Sequence, residues 1–548
     1  MSIMTYIDNV SGKRRFKRVW FALIVLVFIS LIIVPSMYVL LDALFSWDSL
    51  GVVFGDPTMM GHIWGAIGNS FSIAFIVTIL DIIVGLPLAW ALVRKEFPGK
   101  KYLDTLIDMP LVFPTAALGM SVAMFWAFPN GATIPGLGIV LSPYVLIILL
   151  HLIFTFPYMV RCLSGILEQI DPTYETAGMT LGASKFTAVR TITLPLFRAG
   201  IITGFILCFA RSLSETGGTY IALQMMGVES EFFTGPSLIN FLKNNPTDPM
   251  VIGGDATPYL IVISALLIIL AIVLLVVAKY LMNRIHVPFS KVWPKWERRI
   301  SRGLAVKAKD GFSYVFLLVI ILIPSFFIFS YIFVSGGAVD YGTLLSSIGL
   351  SFLIAGVAVI FDVIFGIPMA IYIARNSHTR LGQMLDTLIN IPLIIPTVAL
   401  GFSLGLFWAL LPMSVPGIIL VMLGHIAFTY PLMVRNIIGA VEEVDPSYEE
   451  VARSLGAKPL QAFRKVLFPI IQSSVIAGGI LAFTRSLGET GATVAIDGTV
   501  QTTSIYIMDL ISKGLKSEAA MASIVLIIIC FIFMFAVRYI TRKKNQGV

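Results

Sequence analysis

Long apolar runs interrupted by short polar stretches set the rhythm of this chain. Runs near residues 19–41, 68–93, 103–128, 143–165, 198–222 and 258–282 are followed by a second set near 312–335, 346–374, 385–410, 416–438, 472–496 and 519–540. Each is long enough to cross about 30 Å of hydrocarbon. The pattern predicts an all-α polytopic membrane protein with about twelve transmembrane helices. Pro110, Pro114, Pro392 and Pro396 predict a kink in the third span of each set. The first run follows a basic stretch at residues 13–18. It is too long for the core of a secretory signal and has no small-residue cleavage site behind it, so it is expected to be retained.

The two sets are repeats. Residues 103–119 (LDTLIDMPLVFPTAALG) return as 385–401 (LDTLINIPLIIPTVALG), and 151–161 (HLIFTFPYMVR) return as 425–435 (HIAFTYPLMVR). An even number of spans precedes the second copy, so the halves share one orientation and are related by an axis along the membrane normal. The expected organisation is a first repeat at 1–282, a basic surface linker at 283–311, and a second repeat at 312–548. The halves differ on one face, where the first has longer loops at 129–142 and 227–257. That asymmetry suits a single asymmetric partner.

Composition and charge narrow the class. The chain has 548 residues, 57% hydrophobic and only 12% charged, whereas soluble domains carry about 25% charged residues. The formal charge of +8 does not point to nucleic acid, because the cations sit at membrane edges. Arg94, Lys95, Lys100 and Lys101, the stretches 284–309 and 375–380, and Arg542, Lys543 and Lys544 all fall on the side of the amino terminus. The opposite loops hold Lys243, Lys513 and Lys516. The positive-inside rule then makes both termini cytoplasmic. Cys162, Cys208 and Cys530 are scattered without pairing or metal-ligand spacing.

Two polar islands lie on that cytoplasmic side, within 166–197 and 439–471. Residues 171–185 (DPTYETAGMTLGASK) match 445–458 (DPSYEEVARSLGAK). Asp171 and Asp445 are placed to cap a short helix whose first position holds proline. Gly182 and Gly456 are placed to end it before a second helix enters the membrane. Each island resembles the cytoplasmic loop signature of permease subunits of binding-protein-dependent ATP-binding cassette importers: Glu-Ala-Ala, a glycine three residues later, then Ile-x-Leu-Pro nine residues on. The second copy matches with Glu450-Val451-Ala452, Gly456 and the proline Pro469. The first keeps Gly182, Ile192 and Pro195 but has Thr176-Ala177-Gly178 at the triplet, with Glu175 one place earlier; Glu449 is its counterpart.

The resemblance covers nearly the whole chain. It implies a type I importer fold and a prokaryotic cell membrane. It also implies two cytoplasmic ATPase subunits, identical or unlike, seated on the two loops, and a soluble binding protein on the other face. ATP and magnesium would reside on those partners, since the phosphate-cradling G-x-x-x-x-G-K-[ST] pattern does not occur in this chain. No cofactor and no catalytic cluster is expected here.

Ionisable residues inside spans are costly and face a cavity or the bundle interior. Residues 211–219 (RSLSETGGT) return as 485–493 (RSLGETGAT). Arg211 with Glu215, and Arg485 with Glu489, are four apart and predict pairs on one helix face, followed by Thr216 and Thr490 and by helix-loosening glycines. Two readings fit: the lining of a translocation path or its gate, and a brace between spans. Asp81 and Asp362, each before a Gly-x-Pro, and His151 and His425 are further path candidates, with helix packing as the other reading.

The run at 486–493 and the stretch at 502–506 resemble permeases for molybdate, tungstate and sulfate, and the Leu-Gly-Glu-Thr run also resembles phosphate permeases. Fusion of both halves in one chain resembles ferric-iron and thiamine permeases instead. An inorganic oxyanion is the expected substrate, with iron or thiamine as the alternative. An ion-driven secondary transporter is the alternative from another class.

Overall fold

The computed structural model describes residues 11–126, 141–251, 254–284, 293–301, 304–333, 339–412 and 415–545. All regular structure among them is helical. The first repeat runs through α1 (Arg15–Phe45), α2 (Pro57–Arg94), α3 (Lys100–Val112), α4 (Thr115–Trp126) and α5 (Pro143–Gln169). It continues through α6 (Thr173–Thr180), α7 (Leu194–Leu213), α8 (Gly217–Met226), α9 (Gly235–Asn244) and α10 (Thr257–Arg284). A short helix α11 (Pro294–Ile300) leads to the second repeat, which begins with α12 (Ala308–Phe333), α13 (Tyr341–Arg375), α14 (Arg380–Ile394), α15 (Thr397–Ala409) and α16 (Gly417–Glu442). It ends with α17 (Ser447–Ser454), α18 (Phe468–Leu487), α19 (Gly491–Asp497), α20 (Thr503–Ser512) and α21 (Lys516–Asn545). Among the described residues nine helices are long and apolar enough to cross a membrane, and counting three bent pairs as single spans brings the number to twelve.

Local chemistry sets the element ends. Asp56 accepts the N–H groups of Thr58 and Met59 at 3.0 and 3.1 Å to start α2, and Asp340 accepts those of Gly342 and Thr343 at 3.0 and 3.2 Å to start α13. The third span of each repeat does more than kink: it turns through 105°. The cause is the residue before proline. Pro114 and Pro396 hold Phe113 and Ile395 extended, with ψ of 132° and 128°, which no helix can continue.

Two expectations need correction. The fifth spans, 198–222 and 472–496, are not continuous helices: they stop at Leu213 and Leu487 and restart at Gly217 and Gly491. Part of the long loop at 227–257 is no loop either, because α9 is a buried helix through Leu242, and α20 occupies the corresponding part of the second repeat. Residues 127–140, which hold most of the other long loop, lie outside the described residues.

The repeats interlock rather than pack as two separate bodies. One core joins Val77, Leu118 and Phe156 of the first half to Ile321, Ile328 and Ile527 of the second. The other joins Ile32, Val39 and Tyr259 to Leu400 and Tyr430. Each first span lies on the opposite repeat and is pinned by one serine. Ser403 of α15 donates to the Pro35 carbonyl at 2.8 Å and accepts the Val39 N–H at 2.9 Å. Ser121 of α4 donates to the Pro324 carbonyl at 2.7 Å and accepts the Ile328 N–H at 2.9 Å. Both pairs are i and i+4, so each hydroxyl sits inside a rung of the other repeat's helix ladder.

Removing either hydroxyl leaves a buried backbone rung opened without its filler. S121A and S403A are each expected to lower stability by roughly 1–3 kcal/mol, and to act additively because the two sites share no partner. Thermal unfolding of the purified variants in detergent checks this.

Candidate functional site

The breaks at 214–216 and 488–490 meet each other, one from each repeat. A helix broken inside hydrocarbon leaves carbonyls unpaired on one side and N–H groups on the other. The glutamates answer the second need. Glu215 pairs with Arg211 at 2.6 Å across the break and accepts the Gly218 N–H of α8 at 3.0 Å. Glu489 pairs with Arg485 and accepts the Ala492 N–H of α19 at 2.9 Å. The predicted ion pairs therefore form, but the acid lies beyond the helix end instead of on a shared face. It acts as an N-terminal cap for the next helix.

The histidines splint the same breaks. His151 of α5 bonds Ser212 at 2.7 Å through Nδ1 and Thr219 at 2.8 Å through Nε2, so one imidazole grips both sides of the gap. His425 repeats this with Ser486 at 2.6 Å and Thr493 at 3.0 Å. Each bent third span then closes the opposite repeat's break. Thr115 donates to the Gly488 carbonyl at 2.8 Å, and Thr397 donates to the Ser214 carbonyl at 3.2 Å.

The glycines after the breaks do not loosen a helix. They allow contact between repeats. A Cβ on Gly217 would lie 2.6 Å from Thr490 Cβ, and one on Gly491 would lie 2.6 Å from Thr216 Cβ. These reciprocal contacts place Thr216 and Thr490 at the seam.

Beside the seam is a small, partly open pocket between the repeats, with room for about one water molecule. Both Arg211 and Arg485 line it, with Thr115, Thr484, Phe154 and Tyr158 among its other walls. The guanidinium of Arg211 lies 5.3 Å from the Phe154 ring centre and that of Arg485 lies 5.2 Å from Phe428, cation–π contacts that hold the heads in place. Arg211 Nε has no hydrogen-bond partner among the described residues. Asp81 and Asp362 are fully buried but do not line this cavity. Thr155 lies within reach of Asp81, yet its hydroxyl is directed to the His151 carbonyl at 2.8 Å. Neither aspartate has a hydrogen-bond partner among the described residues. One turn beyond Asp81, Gly85 packs against Met159 and Val160 of α5.

The two polar loops are built alike. Asp171 accepts the Thr173 N–H and Asp445 the Ser447 N–H, each at 2.8 Å, starting α6 and α17. Hydrogen bonds from Thr173 and Ser447 hold both carboxyls below the usual aspartate range. The caps are thus intact at neutral pH and are lost as pH falls through those lowered values. Gly182 at φ +94° and Gly456 at φ +90° end the helices in the left-handed region. Ala183 N–H reaches back to Gly178 O at 3.1 Å, and Ala457 N–H to Ala452 O at 3.0 Å. Gly178 also lets α6 seat on Ile192 and Ala188.

Glu175 and Glu449 face inward. Arg94, at the end of α2, lies 3.5 Å from Glu175, and Arg375, at the end of α13, lies 2.9 Å from Glu449. The same arginines hold the Ile170 and Val444 carbonyls at 2.5 and 2.8 Å. The acids common to both loops are therefore latches to the bundle. Thr176 and Glu450, where the loops differ, are exposed, as is Ala177; Ala452 is half-buried. Pro195 and Pro469 are exposed at the starts of α7 and α18, each just after a wide helical turn. Apolar side chains face outward on both loops: Leu181 is 89% and Leu455 85% exposed, beside exposed Tyr174 and Tyr448.

The latches were missed in the sequence, as were two ties between α5 or α16 and the helix before each 105° turn. Arg161 holds Asp104 at 2.6 Å and Asp108 at 2.7 Å, and Arg435 holds Asp386 at 2.7 Å and Asn390 at 2.9 Å. Superposing the repeats is the signal that finds them, since the arginine and the first acid occur in both quoted motifs.

A family model described as binding-protein-dependent transport system inner membrane component matches residues 81–287 and again 366–546. The sulfate transport system permease protein CysT of Salmonella typhimurium is 32% identical over 197 residues, 35% of this chain and 70% of that protein. The molybdenum transport system permease protein ModB of Escherichia coli K12 is 34% identical over 187 residues, 33% of this chain and 81% of that protein. A probable sulfate permease of Marchantia polymorpha is 36% identical over 177 residues, 31% of this chain and 59% of that protein.

The close approach at the seam makes a reciprocal test. G217A is expected to push against Thr490 and lower the unfolding temperature, by roughly 1–3 kcal/mol of overpacking. T490G in the same chain should recover most of the loss, which thermal unfolding of the single and double variants measures.

Proposed function

The chain belongs to the family of binding-protein-dependent transport system inner membrane components, as a permease with both repeats fused, and we propose that its cargo is a small inorganic oxyanion of the sulfate or molybdate kind. The observation that carries this reading is the cavity between the repeats with an arginine from each half in its wall. Guanidinium groups match oxyanions in charge and in paired hydrogen-bond geometry. Each arginine's own glutamate also serves a helix N-terminus, so its charge is shared between two cations or partial cations. The sulfate and molybdenum permeases similar to this chain support the oxyanion over ferric iron or thiamine, and family membership sets the ion-driven alternative aside.

In this reading the basic face is cytoplasmic in a prokaryotic cell. Two ATPase subunits, which carry ATP and its magnesium, seat on the polar loops, and a soluble binding protein delivers cargo to the opposite face. Leu181 and Leu455 are the anchors, since side chains so apolar and so exposed mark contact surfaces. Closure of the ATPases moves α6 and α17. The Arg94–Glu175 and Arg375–Glu449 latches pass that movement to α2 and α13, and the loops pass it to α7 and α18, which end at the two breaks. Parting the Thr216–Gly491 and Gly217–Thr490 contacts then opens the path, an alternating-access cycle in which one repeat rocks against the other.

The direct test is uptake by proteoliposomes holding this chain, its ATPases and its binding protein. Labelled sulfate or molybdate is expected to accumulate with ATP. Accumulation of thiamine or iron with neither oxyanion would overturn the reading. A second expectation concerns coupling. Replacing Gly182 and Gly456 by tryptophan forces a bulky residue into a left-handed position, and should cut transport per ATP hydrolysed at least tenfold while the protein stays in the membrane.

A further inference from the structure

The segment between the repeats is more than a surface connection. α11 lies against the first polar loop, and its central residue, Glu297, is 2% exposed. The Glu297 carboxylate lies 2.8 Å from Arg190 Nη2, and accepts Arg190 Nε–H at 3.1 Å and the Thr187 hydroxyl at 2.5 Å. It also accepts the Trp293 N–H at 3.2 Å, closing its own helix start. One turn on, Ser301 accepts the Phe186 N–H at 2.9 Å and donates to the Ser184 hydroxyl at 3.3 Å. Four positions on two consecutive turns of the loop, Ser184, Phe186, Thr187 and Arg190, are therefore held by two residues of the linker. Burial raises the Glu297 pKa, but the Thr187, Trp293 and Arg190 contacts outweigh it and leave the carboxyl below the usual glutamate range.

Among the described residues the second loop has no such partner. Its matching residues are Lys458, Leu460, Gln461 and Arg464. Gln461 accepts the Lys458 N–H at 3.0 Å, a cap made within the loop itself. Arg464, the counterpart of Arg190, makes no ion pair among the described residues. Both loops cap their own helix start, Ser184 accepting the Thr187 N–H at 3.2 Å in the first, but among the described residues only the first is also bound to a separate segment of chain through a buried carboxylate.

We infer that the linker is a clamp in cis on the first polar loop, with Glu297 as a positioning residue that fixes the loop through Arg190 and Thr187 so that partner movement reaches α7. This rests on the reading that ATPases seat on the loops. A lone buried carboxylate is maintained only where it is fully paired. Here every contact it makes ends on the loop or on its own helix start, so its pairing energy goes into joining those two segments. The consequence is that fusion of the repeats makes the two sockets mechanically unequal even when identical subunits fill them.

Hydrogen exchange on the purified full chain, without partners, tests the clamp itself. E297A is expected to speed exchange of the amides at 186–193 at least tenfold and leave those at 460–467 unchanged. The swap E297R/R190E, which restores the pair with its signs reversed, should slow 186–193 again. Unchanged exchange at 186–193, or equal acceleration in both loops, overturns the proposal.

The positioning role is read in proteoliposomes with ATPases and binding protein. Transport per ATP hydrolysed should fall at least threefold in E297A and recover in the swap. Faster loop exchange with an unaltered transport ratio reduces Glu297 to a structural brace and overturns the positioning role. If the unmodified chain couples no ATP hydrolysis to transport, the functional reading fails, whereas the exchange result stands on its own.

Discussion

A helix that stops inside the membrane exposes backbone groups that water cannot reach, and this protein stops one in each repeat where the repeats touch. Satisfying those ends organises most of the polar chemistry in the bundle. Glu215 and Glu489 each join the arginine before the gap to the N–H groups after it. His151 and His425 grip both sides from α5 and α16. Thr115 and Thr397 cover the free carbonyls from the opposite repeat. The same residues that a transport reading singles out are thus also the residues that make the break affordable. A path element that must open and reseal has to be discontinuous yet fully hydrogen-bonded when closed, and one set of side chains meets both demands.

Interlocking has a similar logic. Each first span crosses to the other repeat, where a serine takes the place of one backbone rung. Apolar packing against lipid-like surroundings confers little preference for one neighbour over another. A hydroxyl inserted in a helix ladder fits at one height and one rotation only. Two such pins, one per repeat, set how the halves sit together.

Internal symmetry makes the departures from it informative. The latches Arg94–Glu175 and Arg375–Glu449 are equivalent, and so are the exposed Leu181 and Leu455. The difference visible in the sequence, Thr176 against Glu450, falls on the exposed side of the loops, so it bears on what docks there and not on how the loops are held. The larger inequality is α11, which among the described residues engages the first loop and not the second.

Much of this was legible in the amino-acid order. Run length set the number of spans, basic residues set their predicted direction, and repeated motifs exposed the parallel halves, because hydrophobic thickness and charge placement act residue by residue along the chain. The loop helices were legible for the same reason: an aspartate, a proline and a glycine at the right spacing dictate a local start and stop. What the order did not determine was the meaning of residues whose partners are far away. Glu215 reads as one member of an i,i+4 pair until the break turns it into a cap, and the glycines read as flexible until the facing threonine shows that they are merely small. Glu297 reads as one charge in a basic linker. These roles depend on which backbone end or side chain lies opposite, and that is settled only when two repeats, separated by hundreds of residues, are packed against each other in three dimensions.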